Sequence, residues 1–240
     1  VSAINVIEYV TFASAGNTTD FGDLTEVNFT LADGSNRTRG LFLGGSTNAS
    51  GVNTISYITI ASTGNATDFG DILARTSYIT GGLCSPTRSV VVGGLDEDAG
   101  AFTNVIQYVT IASTGNATDF GDASSSFYNG GGLSSSTRGI YGAGGWTSYA
   151  NTMEYITIAS TGNYTDFGDL TQARQGGGGA AGSVYGVFAG GDPGSAGSSY
   201  NIMDYVTIAS TGNATDFGDL VNARTGIVNG ACSSSHGGLQ

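Results

Sequence analysis

The stretch Tyr57-Ile-Thr-Ile-Ala-Ser-Thr-Gly-Asn-Ala-Thr-Asp-Phe-Gly-Asp71 decides the fold, because it recurs. Close copies begin at Tyr9, Tyr108, Tyr155 and Tyr205. The period is about 49 residues, and β-type units at that spacing point to a propeller. Residues 53–61 are rich in Ile, Thr and Tyr and read as a strand. Gly64-Asn65 forms the turn, since both residues tolerate a left-handed backbone, and a further strand runs from 67 to about 73. Working outward, residues 78–87 and 89–92 supply the first and second strands of the next unit. Gly93-Gly94 ends that pair.

Composition agrees. The 240 residues include 41 Gly, 2 Pro, 12 Tyr and 11 Phe, with 39% apolar content, which marks a folded chain rather than a disordered one. No segment carries a helical 3.6 period. No apolar run approaches the ~20 residues a membrane-spanning helix needs, which sets membrane insertion aside. The net charge is −12, and all seven basic residues are Arg. Phosphate backbones and anionic membrane surfaces need Lys/Arg clusters, so nucleic acid is excluded as a partner.

A second strand ending in a Gly pair, a third strand with Tyr, an aromatic in the fourth and a following Ala-Arg together resemble the kelch repeat. The Gly pairs are Gly44-Gly45, Gly93-Gly94, Gly144-Gly145 and Gly190-Gly191; the Ala-Arg pairs are Ala74-Arg75, Ala173-Arg174 and Ala223-Arg224. Phe21, Phe69, Phe120, Phe167 and Phe217 replace the family's fourth-strand Trp. The resemblance implies an all-β fold: a five-bladed β-propeller of four-stranded antiparallel blades, one domain over residues 1–240. Residues 1–23 supply only third and fourth strands and residues 226–240 only a first and the start of a second. The closing blade is therefore expected to be shared by the two termini. The chain is expected to continue past Gln240. The repeated wording is also similar to repeat proteins of marine cyanophages described as virion structural proteins.

Kelch-like patterns specify a fold and not an activity, so chemistry has to be sought residue by residue. The aspartate pairs Asp20/Asp23, Asp68/Asp71, Asp119/Asp122, Asp166/Asp169 and Asp216/Asp219 recur in every copy. A structural role is expected: the first caps the turn, and the second pairs with Arg or a neighbouring backbone N–H. Glu8 and Glu154 share one slot with Ser56, Gln107 and Asp204 and so read as surface filler. Asp96-Glu97-Asp98 is an acidic loop cluster, a weak candidate for Ca²⁺. His236 stands where other repeats carry Arg39, Arg88 and Arg138. The GxGxxG match at 177–182 lacks a strand–helix context and reads as a Gly-rich inner strand. Cys84 and Cys232 fall two blades apart and are expected to be free buried thiols.

Topology divides the expected propeller into two faces. The three–four turns are nearly identical, whereas the two–three loops on the opposite face differ from unit to unit. Binding residues favour varied loops on a rigid scaffold. That singles out Phe102, Trp146, Tyr149 and Tyr200, aromatics suited to sugar faces or protein pockets. The expected function is a non-enzymatic structural or adhesive module, virion-borne or extracellular, whose partners are other virion proteins or a host-surface glycan or protein. A multivalent lectin and a propeller glycosidase are the alternatives.

Overall fold

The computed structural model describes residues 3–145, 149–194 and 198–226, and among these there is no helix. Unit 1 holds β1 (Ile4–Tyr9) and β2 (Thr19–Asn28). Unit 2 holds β3 (Ala32–Ser35), β4 (Arg39–Leu43), β5 (Val52–Thr59) and β6 (Thr67–Ser77). Unit 3 begins with β7 (Thr80–Cys84) and β8 (Arg88–Val92). A short hairpin of β9 (Leu95–Asp96) and β10 (Ala101–Phe102) follows, then β11 (Val105–Thr110) and β12 (Thr118–Asp122). Unit 4 contains β13 (Gly131–Ser134), β14 (Arg138–Gly142), β15 (Ala150–Thr157) and β16 (Thr165–Arg174). Unit 5 contains β17 (Gly178–Ala181), β18 (Tyr185–Ala189), β19 (Ile202–Thr207) and β20 (Thr215–Asp219).

Units 2 to 5 are each a four-stranded antiparallel meander, and unit 1 is a two-stranded ribbon. The β9–β10 hairpin departs from this pattern. It leaves unit 3 and pairs with the end of β6, Thr76 opposite Asp96 and Ser77 opposite Leu95, widening the sheet of unit 2 to six strands. The fourth strand also runs further than expected, to Ser77. It is separated from β7 by Tyr78 and Ile79, and the Tyr78 φ of 52° turns the chain sharply. Residues 227–240, on which the shared closing blade depends, lie outside the described residues.

The core is serial. One apolar layer, with Leu41, Ile55, Phe69, Val109 and Ile111, fills the space between units 2 and 3. A second, with Leu83, Ile106, Phe120, Tyr141 and Ile156, lies between units 3 and 4. A third, with Leu133, Met153, Phe167, Phe188 and Val206, lies between units 4 and 5. The sheets of units 3 and 4 are thus packed on both faces, as strands held between two neighbours must be. This all-β arrangement of successively stacked antiparallel sheets is compatible with a β-propeller.

Glycine sets how closely the units approach on the inside. The first strands β3, β7, β13 and β17 lie against one another in order. A Cβ on Gly82 would stand 1.6 Å from the Asp33 carbonyl oxygen, and one on Gly179 2.3 Å from that of Gly132. Backbone meets backbone there, so no side chain can yield. The run 177–182 is accordingly an inner strand and its flank, as its composition suggests. Gly179→Ala is expected to lower stability by about 1–3 kcal/mol through overpacking. Gly182→Ala, whose Cβ would meet nothing closer than 3.7 Å, is expected to change it by less than about 0.5 kcal/mol; urea midpoints of the two variants check this.

Candidate functional site

The repeated motif is the joint between units. In every copy the fourth strand carries a β-bulge: Ser56 opposes Asp68 and Ile55 opposes Gly70, leaving Phe69 as the extra residue. The same shift occurs in the other four units. The bulge glycines hold φ between 132° and 147°. Their missing side chains admit the next unit's turn: a Cβ on Gly70 would lie 2.6 Å from the Gly115 carbonyl. Into that space the turn docks by backbone bonds. Gly115 N–H donates to the Phe69 carbonyl and Ala117 N–H to that of Asp71, both at 2.7 Å. The Asn116 side chain accepts from the Asp71 amide at 3.1 Å. The joints from unit 1 to 2, 3 to 4 and 4 to 5 repeat this pattern.

The aspartate expectations are therefore corrected in detail. The first carboxylate serves the bulge, as Asp119 accepts from the Gly121 amide at 3.2 Å. The second residue meets the neighbouring unit through its backbone, not its carboxylate. Arginines strap the same face. Arg39, Arg88 and Arg138 lie 4.3–4.7 Å over Tyr57, Tyr108 and Tyr155. Each also donates to a carbonyl of the next unit, Ile111, Ile158 or Ile208, at 2.8–2.9 Å. His236 and Cys232 lie outside the described residues.

The slot read as surface filler is a second joint. Gln107 accepts from the Leu73 amide at 2.8 Å, and Ser56 meets Thr25 at 2.5 Å. Glu154 is buried and accepts from Ser124. Asp204 is fully buried, 2.9 Å from an equally buried Arg174, and also accepts from the Thr171 hydroxyl at 2.6 Å. Desolvation lowers the affinity of Arg174 for its proton, and Asp204 opposes that effect. The Arg174 Nε and Nη1 atoms have no hydrogen-bond partner among the described residues.

The opposite face carries a cleft of about 520 Å³ lined by Tyr78, Leu95, Gly100, Ala101, Phe102 and Tyr128. The β9–β10 hairpin brings Phe102 to it, while Tyr78 and Tyr128 come from the junctions that precede β7 and β13. Phe102 and Tyr78 both stand edge-on to Tyr128, at 5.1 and 5.5 Å between ring centroids. Tyr78 occupies the left-handed region, as do Thr30, Asn129, Gly176 and Gly226 at the matching junctions. Holding a bulky residue there costs of order 1–3 kcal/mol. Partial burial raises the affinity of the Tyr128 hydroxyl for its proton, with Asn129 opposing through a hydrogen bond. The cleft thus joins aromatic faces to a neutral hydroxyl.

Of the sequence candidates among the described residues, only Phe102 lines this cleft. The Tyr149 hydroxyl accepts from Gln175 at 3.2 Å, and its ring lies against Gly194. Tyr200 anchors its loop through its amide to the Gly191 carbonyl, 2.7 Å away. Trp146 lies outside the described residues. Sequence reasoning missed Tyr78 and Tyr128; the signal available was an aromatic at or beside a junction that other units fill with Thr30, Gly176 or Gly226.

The acidic loop is engaged internally. Asp98 pairs with Arg75 at 2.8 Å, an exposed contact that holds the carboxylate below its ordinary range. Asp96 accepts from the amides of Asp98 and Ala99, and Glu97 from the Ser77 hydroxyl. Among the described residues no three His, Cys, Asp or Glu side chains converge as metal ligands do. The chain matches no protein-family model, and no curated protein shows significant similarity to it.

Cys84 is free and buried. Burial first, then the charge of Asp33, pushes its thiol up to about 12, against hydrogen bonds involving Ser35 and Ser89. The folded state therefore favours the neutral thiol. That contribution is complete below the unfolded value near 8.5 and is lost as pH rises towards 12. Cys84→Ala is expected to flatten the alkaline fall in urea midpoint between pH 8 and 11. Separately, Asp204→Asn strands a buried guanidinium and is expected to cost about 3–5 kcal/mol. The double change with Arg174→Met recovers much of that loss by the same measurement.

Proposed function

We propose that this protein is a non-enzymatic structural and adhesive module, a five-bladed β-propeller whose varied face binds a host-surface glycan or protein. It belongs on a virion, in a tail fibre or capsid appendage, or in another extracellular setting. One observation carries the reading: the repeated residues are engaged as joints, while the opposite face holds the aromatic cleft of Tyr78, Phe102 and Tyr128. A scaffold joined by its repeated residues leaves the individual loops for recognition. The kelch-type Gly pairs and the cyanophage-like wording support the same placement.

The cleft favours a lectin as the second reading. Apolar C–H faces of a pyranose stack on aromatic rings, and its hydroxyls need partners such as the Tyr128 hydroxyl. A neutral sugar also suits a surface of net charge −12, where the nearby cation Arg75 is engaged by Asp98.

A glycan array followed by isothermal titration tests both readings. Binding of one neutral sugar class is expected to weaken about tenfold in Phe102→Ala, the loss of roughly one aromatic contact, with the melting temperature nearly unchanged. A blank array and no heat at millimolar sugar would remove the lectin reading and leave a protein-binding face. Immunogold labelling absent from purified virions would sink the virion placement.

A further inference from the structure

The joint that recurs four times within the chain has both of its halves present, and unused among the described residues, in its first and last units. Unit 5 offers the bulged strand. Phe217 is 60% exposed, whereas Phe69, Phe120 and Phe167 are 2–3% exposed, and nothing lies within 4 Å of a Cβ built on Gly218. Unit 1 offers the turn Ala15-Gly16-Asn17, which makes no bond to Phe217 or Asp219.

The second joint repeats the coincidence. Val221 occupies the position of Leu73, Ser124 and Thr171, whose amides donate to the next unit's slot residue, and it is 98% exposed. Glu8 occupies that slot in unit 1 and is exposed, although Gln107, Glu154 and Asp204 are buried. The apolar surfaces match too. Val10 and Phe12 of unit 1 are 48% and 87% exposed, while their counterparts Val109, Ile111, Val206 and Ile208 are buried against the preceding unit.

We propose that unit 1 docks on unit 5 of the same chain in the register of the other four joints. The Gly16 amide then donates to the Phe217 carbonyl and the Thr18 amide to that of Asp219. The Asn17 side chain accepts from the Asp219 amide, and Glu8 receives the Val221 amide. This deepens the five-bladed reading and rests on it. Tyr185 stands where Arg39, Arg88 and Arg138 stand in other units, so this joint lacks the arginine strap that the joints from unit 2 to unit 5 carry. The occupant is the same chain rather than a second copy because closure within one molecule carries no association entropy.

Amide hydrogen exchange on the intact chain, followed by NMR, tests the docking together with light scattering for mass. Gly16 and Thr18 are expected to be protected in the monomer, as Gly64 and Ala66 are by the unit 1 to 2 joint. Phe217→Ser is expected to lower the melting temperature nearly as much as Phe167→Ser. A monomer whose Gly16 and Thr18 exchange as fast as open loops would overturn the proposal, as would a thermally neutral Phe217→Ser. Protection found only in a concentration-dependent oligomer would also overturn it, in favour of a second copy. Exchange is read on wild type, so a variant that fails to fold does not remove the test. A solution scattering profile of a compact ring with those amides unprotected would keep the five blades and reject only this register. Sugar titration reports on the cleft independently of either result.

Discussion

A single backbone arrangement governs this molecule: a Gly-Asn turn seated on a bulged strand of the preceding sheet. It requires an extra residue in the strand to bend it, a glycine at that bend to make room, and two amides at the right spacing to fill the carbonyls. Thr-Gly-Asn and Asp-Phe-Gly-Asp are the two halves of that requirement. The bulge also turns Phe69 and its equivalents in units 3 and 4 into the apolar layers between sheets. One local irregularity therefore supplies both the hydrogen bonds and the core contact of each joint.

With one face and the inner edge committed to packing, chemistry is confined to the remaining loops. There the rules of the repeat are relaxed. Unit 3 sends its second-to-third connection back over unit 2 as a hairpin, and an aromatic residue is held in a conformation better suited to glycine. Thr30 and Asn129 take the same left-handed backbone at the matching junctions, so the turn belongs to the repeat and the aromatic side chain placed on it is what unit 3 adds.

Much of this was legible in the chain. Tyr57 and its copies located the third strands, Gly64-Asn65 the turns, and the differing loops the individual face, because each signal is local and repeats. What contacts what across two sheets is not local. Alternation showed that both faces of a strand were apolar but could not say that Glu154 and Asp204 point into an interface. Their slot holds polar residues because amides and hydroxyls of the preceding unit have to be satisfied there. Arg75 and Arg174 follow the same Ala-Arg pattern, yet one is exposed and the other wholly buried. The difference comes from Asp98 and Asp204, which lie 23 and 30 residues further along the chain and belong to different units. The cleft was half visible: Phe102 lay in a varied loop, but Tyr78 and Tyr128 sat at strand junctions, where turning the chain hides the role of the side chain.

The sameness of the joints bears on how such a chain can change over generations. A unit duplicated or lost by unequal recombination between its near-identical coding repeats would meet a matching half-joint on either side. No new interface would have to arise by point mutation. The hydrogen-bond pattern itself sets no count of units; the glycine contacts between inner strands do, by fixing how tightly successive sheets converge. A lineage carrying this repeat can therefore exchange whole units, each with its own loops, and so replace one varied surface in a single genetic step while the scaffold beneath it keeps its chemistry.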